Sequence, residues 1–164
     1  MSHIRKCLIS AVDEGILRTP QHEVFRLLKI DPPEGHEGAV VAALSGGEAL
    51  DKGQQSDEFF YRYDGARISF AITVRSVGPI LELVSYRFHL QFPAGRAPTH
   101  VRFDLNPEGG ASDDPLREPR SHVHVGAEDL RVPAPLMGPV EILEKLLYGM
   151  SLPPIAPERR ARKH

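Results

Sequence analysis

The chain has 164 residues, of which 41% are hydrophobic and 26% are charged, and its formal net charge is −2. This composition is typical of a folded domain rather than a disordered chain, and the charge excludes a global basic field that would attract nucleic acid. The single cysteine, Cys7, excludes an internal disulfide and a cysteine-based zinc site. The sequence shows no secretory signal and no apolar run of about 18 to 20 residues, so we expect a cytoplasmic protein that does not span a membrane.

Residues 1–55 are the first expected unit, an N-terminal helical segment. Apolar residues recur at helical spacing over Ile4–Leu17. Thr19-Pro20 restarts the pattern, because threonine is a good N-cap and proline suits the first helical position. An apolar stripe over Val24–Leu28 predicts a second helix, and the run Ala39–Leu44 predicts a third.

Residues 56–152 are the second expected unit, an antiparallel sheet closed by a helix. From about Glu58 the apolar and polar residues alternate with a period of two, which is typical of strands. Asp64-Gly65 is a strong hairpin signal. Pro139 opens a closing helix. Its predicted apolar stripe consists of Val140, Leu143, Leu147 and Met150.

The fold class that follows is α+β, with a central antiparallel β-sheet, an N-terminal helical segment and a C-terminal helix packed on the sheet. Residues 106–119 are dense in Asn, Pro, Gly, Ser and Asp. They predict a long loop of the kind that often covers or completes a site. Residues 153–164 are proline-rich and then basic, and we expect them to form a flexible tail.

Strand parity gathers polar residues on one face of the expected sheet. Successive side chains of a strand point to opposite faces, and the apolar set must face the core. The opposite parity predicts a common surface that carries Arg87, His89, His100, Arg102, Asp104, His122 and His124. Polar alternation is also what any solvated sheet face shows, but folding does not require this convergence of histidine and arginine, so the surface is a candidate site.

These residue types are the groups needed to cleave an RNA phosphodiester without a metal. Histidine exchanges protons near neutrality, arginine matches phosphate geometry, and a carboxylate can orient a histidine. We predict that His122 and His124 form the acid/base pair, while Arg102 and Asp104 bind and orient. The remaining predicted substrate-binding residues are Arg87, His89 and His100.

Two other interpretations stay open at this stage. The first is a metal-binding enzyme, in which His122 and His124 share a face of one strand and His100 or Asp104 supplies a third ligand for Zn, Mn or Ni. Because a His-x-His pair is common by chance, the sequence requires no cofactor. The second is a non-catalytic interaction module, in which the polar face docks a partner and the N-terminal helices form an interaction arm. Homodimer formation is equally open.

Three short motifs in order resemble a known family. They are Tyr86-Arg87-Phe88, Arg102-Phe103-Asp104, and His122-Val123-His124 before the closing helix. This order, over roughly half of the chain, resembles the TumE family of toxin–antitoxin toxins. The resemblance implies a small growth-inhibiting toxin that acts on RNA and is neutralised by a cognate antitoxin protein. The chain departs from the family after Asp104, where Leu105-Asn106-Pro107-Glu108 replaces a segment with a histidine pair.

Overall fold

The computed structural model describes residues 2–31, 41–47, 59–77, 79–108, 120–127 and 130–156. Within these ranges an eight-stranded antiparallel sheet lies with an N-terminal helix and a C-terminal helix, which confirms the α+β fold. None of the helices in the described ranges is long and apolar enough to cross a membrane.

The elements follow one another in a simple order along the chain. The helices are α1 (Ser2–Asp13), α2 (Gln21–Leu27) and α3 (Pro139–Glu144), and α3 continues as a π-helical turn over Lys145–Gly149. The strands are β1 (Leu28–Asp31), β2 (Val41–Gly46), β3 (Phe60–Tyr61), β4 (Arg67–Val77), β5 (Ile80–Gln91), β6 (His100–Leu105), β7 (Ser121–Val125) and β8 (Arg131–Pro133). Their order in the sheet is β1-β2-β4-β5-β6-β7-β8, and β3 pairs with β4 next to the end of β2.

The helices pack on one face of the sheet and build a single core. Helix residues such as Leu8 and Leu143 belong to the same buried cluster as the inward-facing residues of β4, β5 and β6. Three aromatic rings form its centre: Phe70 stacks on Phe60 and on Phe88, with ring centroids 5.8 and 5.3 Å apart. All three side chains are fully buried, so burial of large apolar area fixes which face of each strand turns towards the helices.

The predicted third helix is wrong. Within the run Ala39–Leu44 the structure describes residues from Val41 onward, and these lie in strand β2, which pairs with both β1 and β4. A short apolar run is compatible with a helix or a buried strand, and here the strand partners decide. The second helix also ends at Leu27, before the stop that the sequence predicts at Asp31, because Leu28–Asp31 form β1. Strand β8 is an element that the sequence analysis did not predict.

The closing helix has a different buried stripe from the predicted one. Leu143 and Leu147 are buried as expected, but Ile142 and Leu146 are buried as well, whereas Val140 and Met150 are only partly buried. The buried side of the helix therefore carries Ile142 with Leu146 and Leu143 with Leu147, pairs that are four residues apart.

The start of the expected tail is attached to the domain. The backbone N–H of Ala156 donates to the carbonyl of Gly95, and the N–H of Ala97 donates to the carbonyl of Pro154. The basic residues beyond residue 156 and the centre of the expected loop, residues 109–119, lie outside the described ranges.

Candidate functional site

Rows of cross-strand neighbours carry the polar residues across the face opposite the helices. One row runs over β4 to β8 and consists of Ser69, His89, Arg102, His124 and Arg131. The adjacent row consists of Ala71, Arg87, Asp104, His122 and Pro133. His100 lies on the same face, paired with Gln91. The register therefore confirms that the polar residues selected by strand parity share one face.

The burial of this face differs from the expectation. His122 and His124 were expected to point outward and the valines of β7 inward. Val123 packs against the core as expected, but the histidines are only 3% and 1% exposed, whereas Val125 is 38% exposed. Parity identifies the face of a side chain but does not reveal what covers that face. On this face His124 has Arg102 of β6 and Arg131 of β8 as its cross-strand neighbours. The site is a buried polar cluster, in which each group requires a polar partner.

Asp104 is the centre of this cluster. Its Oδ2 accepts a hydrogen bond from Arg102 Nε at 2.8 Å, and it lies 3.3 Å from His124 Nε2 and 3.6 Å from His122 Nε2. The other carboxylate oxygen, Oδ1, lies 3.7 Å from Arg87 Nε. Two arginines thus bracket one carboxylate, and both imidazole rings approach the same oxygen. We call Arg102, Asp104, His122 and His124 the central cluster.

The fork of Arg102 reaches both Asp104 and His124. Arg102 Nη2 lies 3.1 Å from His124 Nε2 while Nε of the same guanidinium donates to Asp104. Arginine has donors only, so a hydrogen bond in this contact has His124 Nε2 as its acceptor. His122 Nε2 faces the same carboxylate oxygen, 3.6 Å from Asp104 Oδ2.

Comparison with known proteins gives this chain no identity. No family model, curated protein or solved structure matches it.

His89 and His100 lie beside the central cluster. Their ring centroids are 5.3 Å apart and the rings are nearly perpendicular. His89 is the cross-strand neighbour of Arg102, and His100 precedes Arg102 by two residues on the same strand. The predicted substrate-binding residues therefore flank the predicted catalytic residues on one continuous surface.

The same cluster also meets the first requirements of a metal site. Asp104, His122 and His124 each offer a ligand atom, and these atoms lie within 4.8 Å of one another. The ligand set has Asp104 as its third member, whereas the expected alternative, His100, contacts His89 instead. Asp104 Oδ1 is buried and accepts no hydrogen bond from the residues that the structure describes. A carboxylate and two imidazoles are a donor set that suits Zn²⁺.

One contact opposes metal binding in this arrangement. The Arg102 guanidinium already touches Asp104 Oδ2 and His124 Nε2, atoms of two of the candidate ligand residues. A guanidinium carries a permanent positive charge. A divalent cation would therefore bind only after this side chain moved away, and the observed geometry suits an anion better than a cation.

Arg131 is one member of the polar rows that the sequence analysis missed. It lies opposite His124 on the edge strand β8, and its side chain is exposed. The three residues of β8 are too few to show a period-two pattern, so only the pairing with β7 identifies Arg131 as part of this face.

Proposed function

We propose that this protein is a TumE-like toxin of a toxin–antitoxin module that cleaves RNA by histidine acid/base chemistry. The observation that supports the proposal most directly is the fork of Arg102, which touches Asp104 and His124 at once. It combines a phosphate-binding group with an imidazole at hydrogen-bond distance. The order of motifs that resembles the TumE family supports the same assignment.

In the proposed reaction, His124 acts as the base and His122 as the acid. His124 Nε2 takes the proton of an RNA 2′-hydroxyl, and the resulting oxygen attacks the adjacent phosphorus. The bond from phosphorus to the 5′ oxygen then breaks, and this oxygen takes a proton from His122. The products are a 2′,3′-cyclic phosphate and a free 5′-hydroxyl. General acid/base catalysis of this kind contributes about 10²- to 10⁴-fold in rate.

The arginines would bind the phosphate and stabilise the charge that develops on it. Arg87 is the accessible member, with a side chain 55% exposed, whereas the Arg102 side chain is 17% exposed. We propose that the RNA phosphate approaches from the side of Arg87 and competes with Asp104 for both guanidiniums. Release of Arg102 from His124 would free the Nε2 lone pair for the proton transfer.

The proposal is tested by expressing the chain in bacteria and following growth and RNA integrity. We expect the wild type to arrest growth and fragment RNA, and we expect the double variants His122→Ala/His124→Ala and His122→Gln/His124→Gln to do neither. His22→Ala is the matched control, since this histidine is 80% exposed and remote from the cluster. Equal toxicity of the folded double variants and the wild type would refute the role assigned to the histidines.

The partner expected from this function is a cognate antitoxin protein in the cytoplasm. Co-expression of the product of an adjacent gene should restore growth and co-purify with the chain. Restored growth without a complex, or a complex without restored growth, would contradict neutralisation by direct binding.

A metal centre is the second candidate function, and the three clustered ligand atoms favour it. In this case purified protein would bind one Zn²⁺, measured by elemental analysis and calorimetry, and Asp104→Asn would abolish the binding. If the protein holds stoichiometric metal and chelators stop its cleavage of RNA, a metal-dependent mechanism takes the place of the metal-free one. RNA cleavage that continues in the presence of a chelator would support the metal-free mechanism.

A further inference from the structure

Two aromatic rings at the β3 end of the sheet each have an arginine against them. The Arg67 guanidinium lies 4.5 Å from the centroid of the Phe59 ring, and that of Arg18 lies 5.6 Å from the centroid of Tyr61. The two rings meet edge to face with centroids 6.3 Å apart. We call Arg18, Phe59, Tyr61 and Arg67 the aromatic platform. It alternates flat π-surfaces with positive charge, which is the pattern of single-strand nucleic-acid sites.

The aromatic platform is on the same face of the sheet as the central cluster. Tyr61 pairs with Arg67, Arg67 pairs with Gln91, and Gln91 pairs with His100. Cross-strand partners share a face, and neighbouring strands lie about 4.8 Å apart, so Tyr61 and His100 are about 14 Å apart across the sheet. His100 is two residues from Arg102. A continuous polar row therefore connects the platform with the proposed catalytic residues.

A cavity opens beside the two rings, where Arg18 and α2 flank strand β3. Its volume is about 280 Å³, and its lining includes both aromatic side chains together with Arg18 and Arg26. This volume is near the lower end of the range for small-molecule sites, about 300–1,000 Å³. Glu23 also lines the cavity, but it is paired with Arg26 at 2.7 Å. A site of this size, with aromatic walls and a net positive charge, suits a nucleobase and its phosphate.

We infer that the aromatic platform binds the bases of single-stranded RNA whose scissile phosphate lies in the central cluster. The inference deepens the proposed function and rests on it for the identity of the ligand. Bases of a duplex are stacked inside the helix, whereas the bases of a single strand can stack on protein rings. The separation of the platform and the cluster then requires a strand of about four nucleotides or more. Because every base has a π-face, the platform would select single strands over duplexes without selecting sequence.

The test uses fluorescence anisotropy with short 2′-O-methyl RNA, which binds but lacks the attacking hydroxyl. We expect the affinity to rise with the length of the RNA until the strand spans both the platform and the central cluster, at about four nucleotides or more. The double variant Phe59→Ala/Tyr61→Ala should weaken the affinity at least about tenfold. Tyr61→Phe keeps the ring and should bind like the wild type. Tyr63→Ala is the matched control, because Tyr63 is 66% exposed, two residues away and outside the cavity. Circular dichroism reports whether each variant is folded.

The outcomes separate this inference from the proposed function. If the folded platform variants bind the oligonucleotides as the wild type does, or if duplex RNA binds as well as single strands, the inference is wrong, while cleavage by the central cluster can stand. If binding depends on the platform but unmodified RNA is never cleaved, the proposed catalysis is wrong, whereas the assignment of the platform as a site for the bases of single-stranded RNA stands.

Discussion

Replacing Asp104 with asparagine should destabilise the protein by about 2 kcal/mol. The Asp104 side chain is 10% exposed and that of Arg102 is 17% exposed, so water screens their interaction only weakly. Removing one member of such a buried pair costs about 3–5 kcal/mol. Asparagine keeps an oxygen that can accept from Arg102, and a neutral acceptor recovers roughly half of a charge-assisted hydrogen bond. The balance is a loss of about 2 kcal/mol in the free energy of unfolding.

Urea denaturation followed by circular dichroism measures this loss directly. We expect a lower midpoint with an unchanged slope, and a thermal midpoint lower by about 4–8 °C. The matched control is Glu82→Gln, which makes the same change in a pair with Arg75 whose side chains are 45% and 50% exposed. That change should lower the free energy of unfolding much less, because water screens an exposed pair. If Asp104→Asn costs no more than this control, the carboxylate does not hold the cluster together.

Three further predictions concern the core and the single thiol. Burial raises the pKa of Cys7 from 9.0 to about 11, so the contribution of the buried thiol to stability is complete below pH 9 and is lost as the pH rises towards 11. The rate of thiol alkylation should climb over the same interval, and an alkylation rate that reaches its plateau below pH 9 would contradict this. Gly46→Ala places a Cβ 2.5 Å from the Phe60 ring and should lower the free energy of unfolding by about 1–3 kcal/mol; an unchanged urea midpoint would show that the ring yields freely. Phe88→Ala removes a fully buried ring and should cost about 3–5 kcal/mol, whereas Phe25→Ala, at a side chain 49% exposed, should cost much less in the same assay.

The sheet was predictable where local sequence and tertiary structure agree. Alternation of apolar and polar residues correctly predicted β4 to β7, because one face of each strand is apolar and turns towards the helices. Asp64-Gly65 predicted the β3–β4 hairpin, where Asp64 Oδ1 accepts from the N–H of Ala66 at 3.1 Å and Gly65 has a φ of 87°. A side chain that accepts a nearby backbone N–H and a glycine with positive φ are both local signals.

What the sequence did not reveal depends on partners that are distant along the chain. The run that ends at Leu44 became a strand because β1 and β4 pair with it on both sides. Parity placed His122 and His124 on the correct face, but their burial depends on neighbours in other strands, including β8. The contact between Arg102 and His124 joins residues 22 positions apart. Such contacts depend on the register in which the strands pair. The local sequence pattern of a short strand determines this register only weakly.

The most direct test of the central claim is the rate at which purified protein cleaves single-stranded RNA. It should be measured for the wild type and for the folded variants His122→Gln, His124→Gln and the double variant. We expect each single substitution to lower the rate by about 10²-fold or more, and we expect the double variant to be little slower than either one, because the two groups act in one step. Cleavage by the double variant at the wild-type rate would show that this histidine pair is not the catalytic centre.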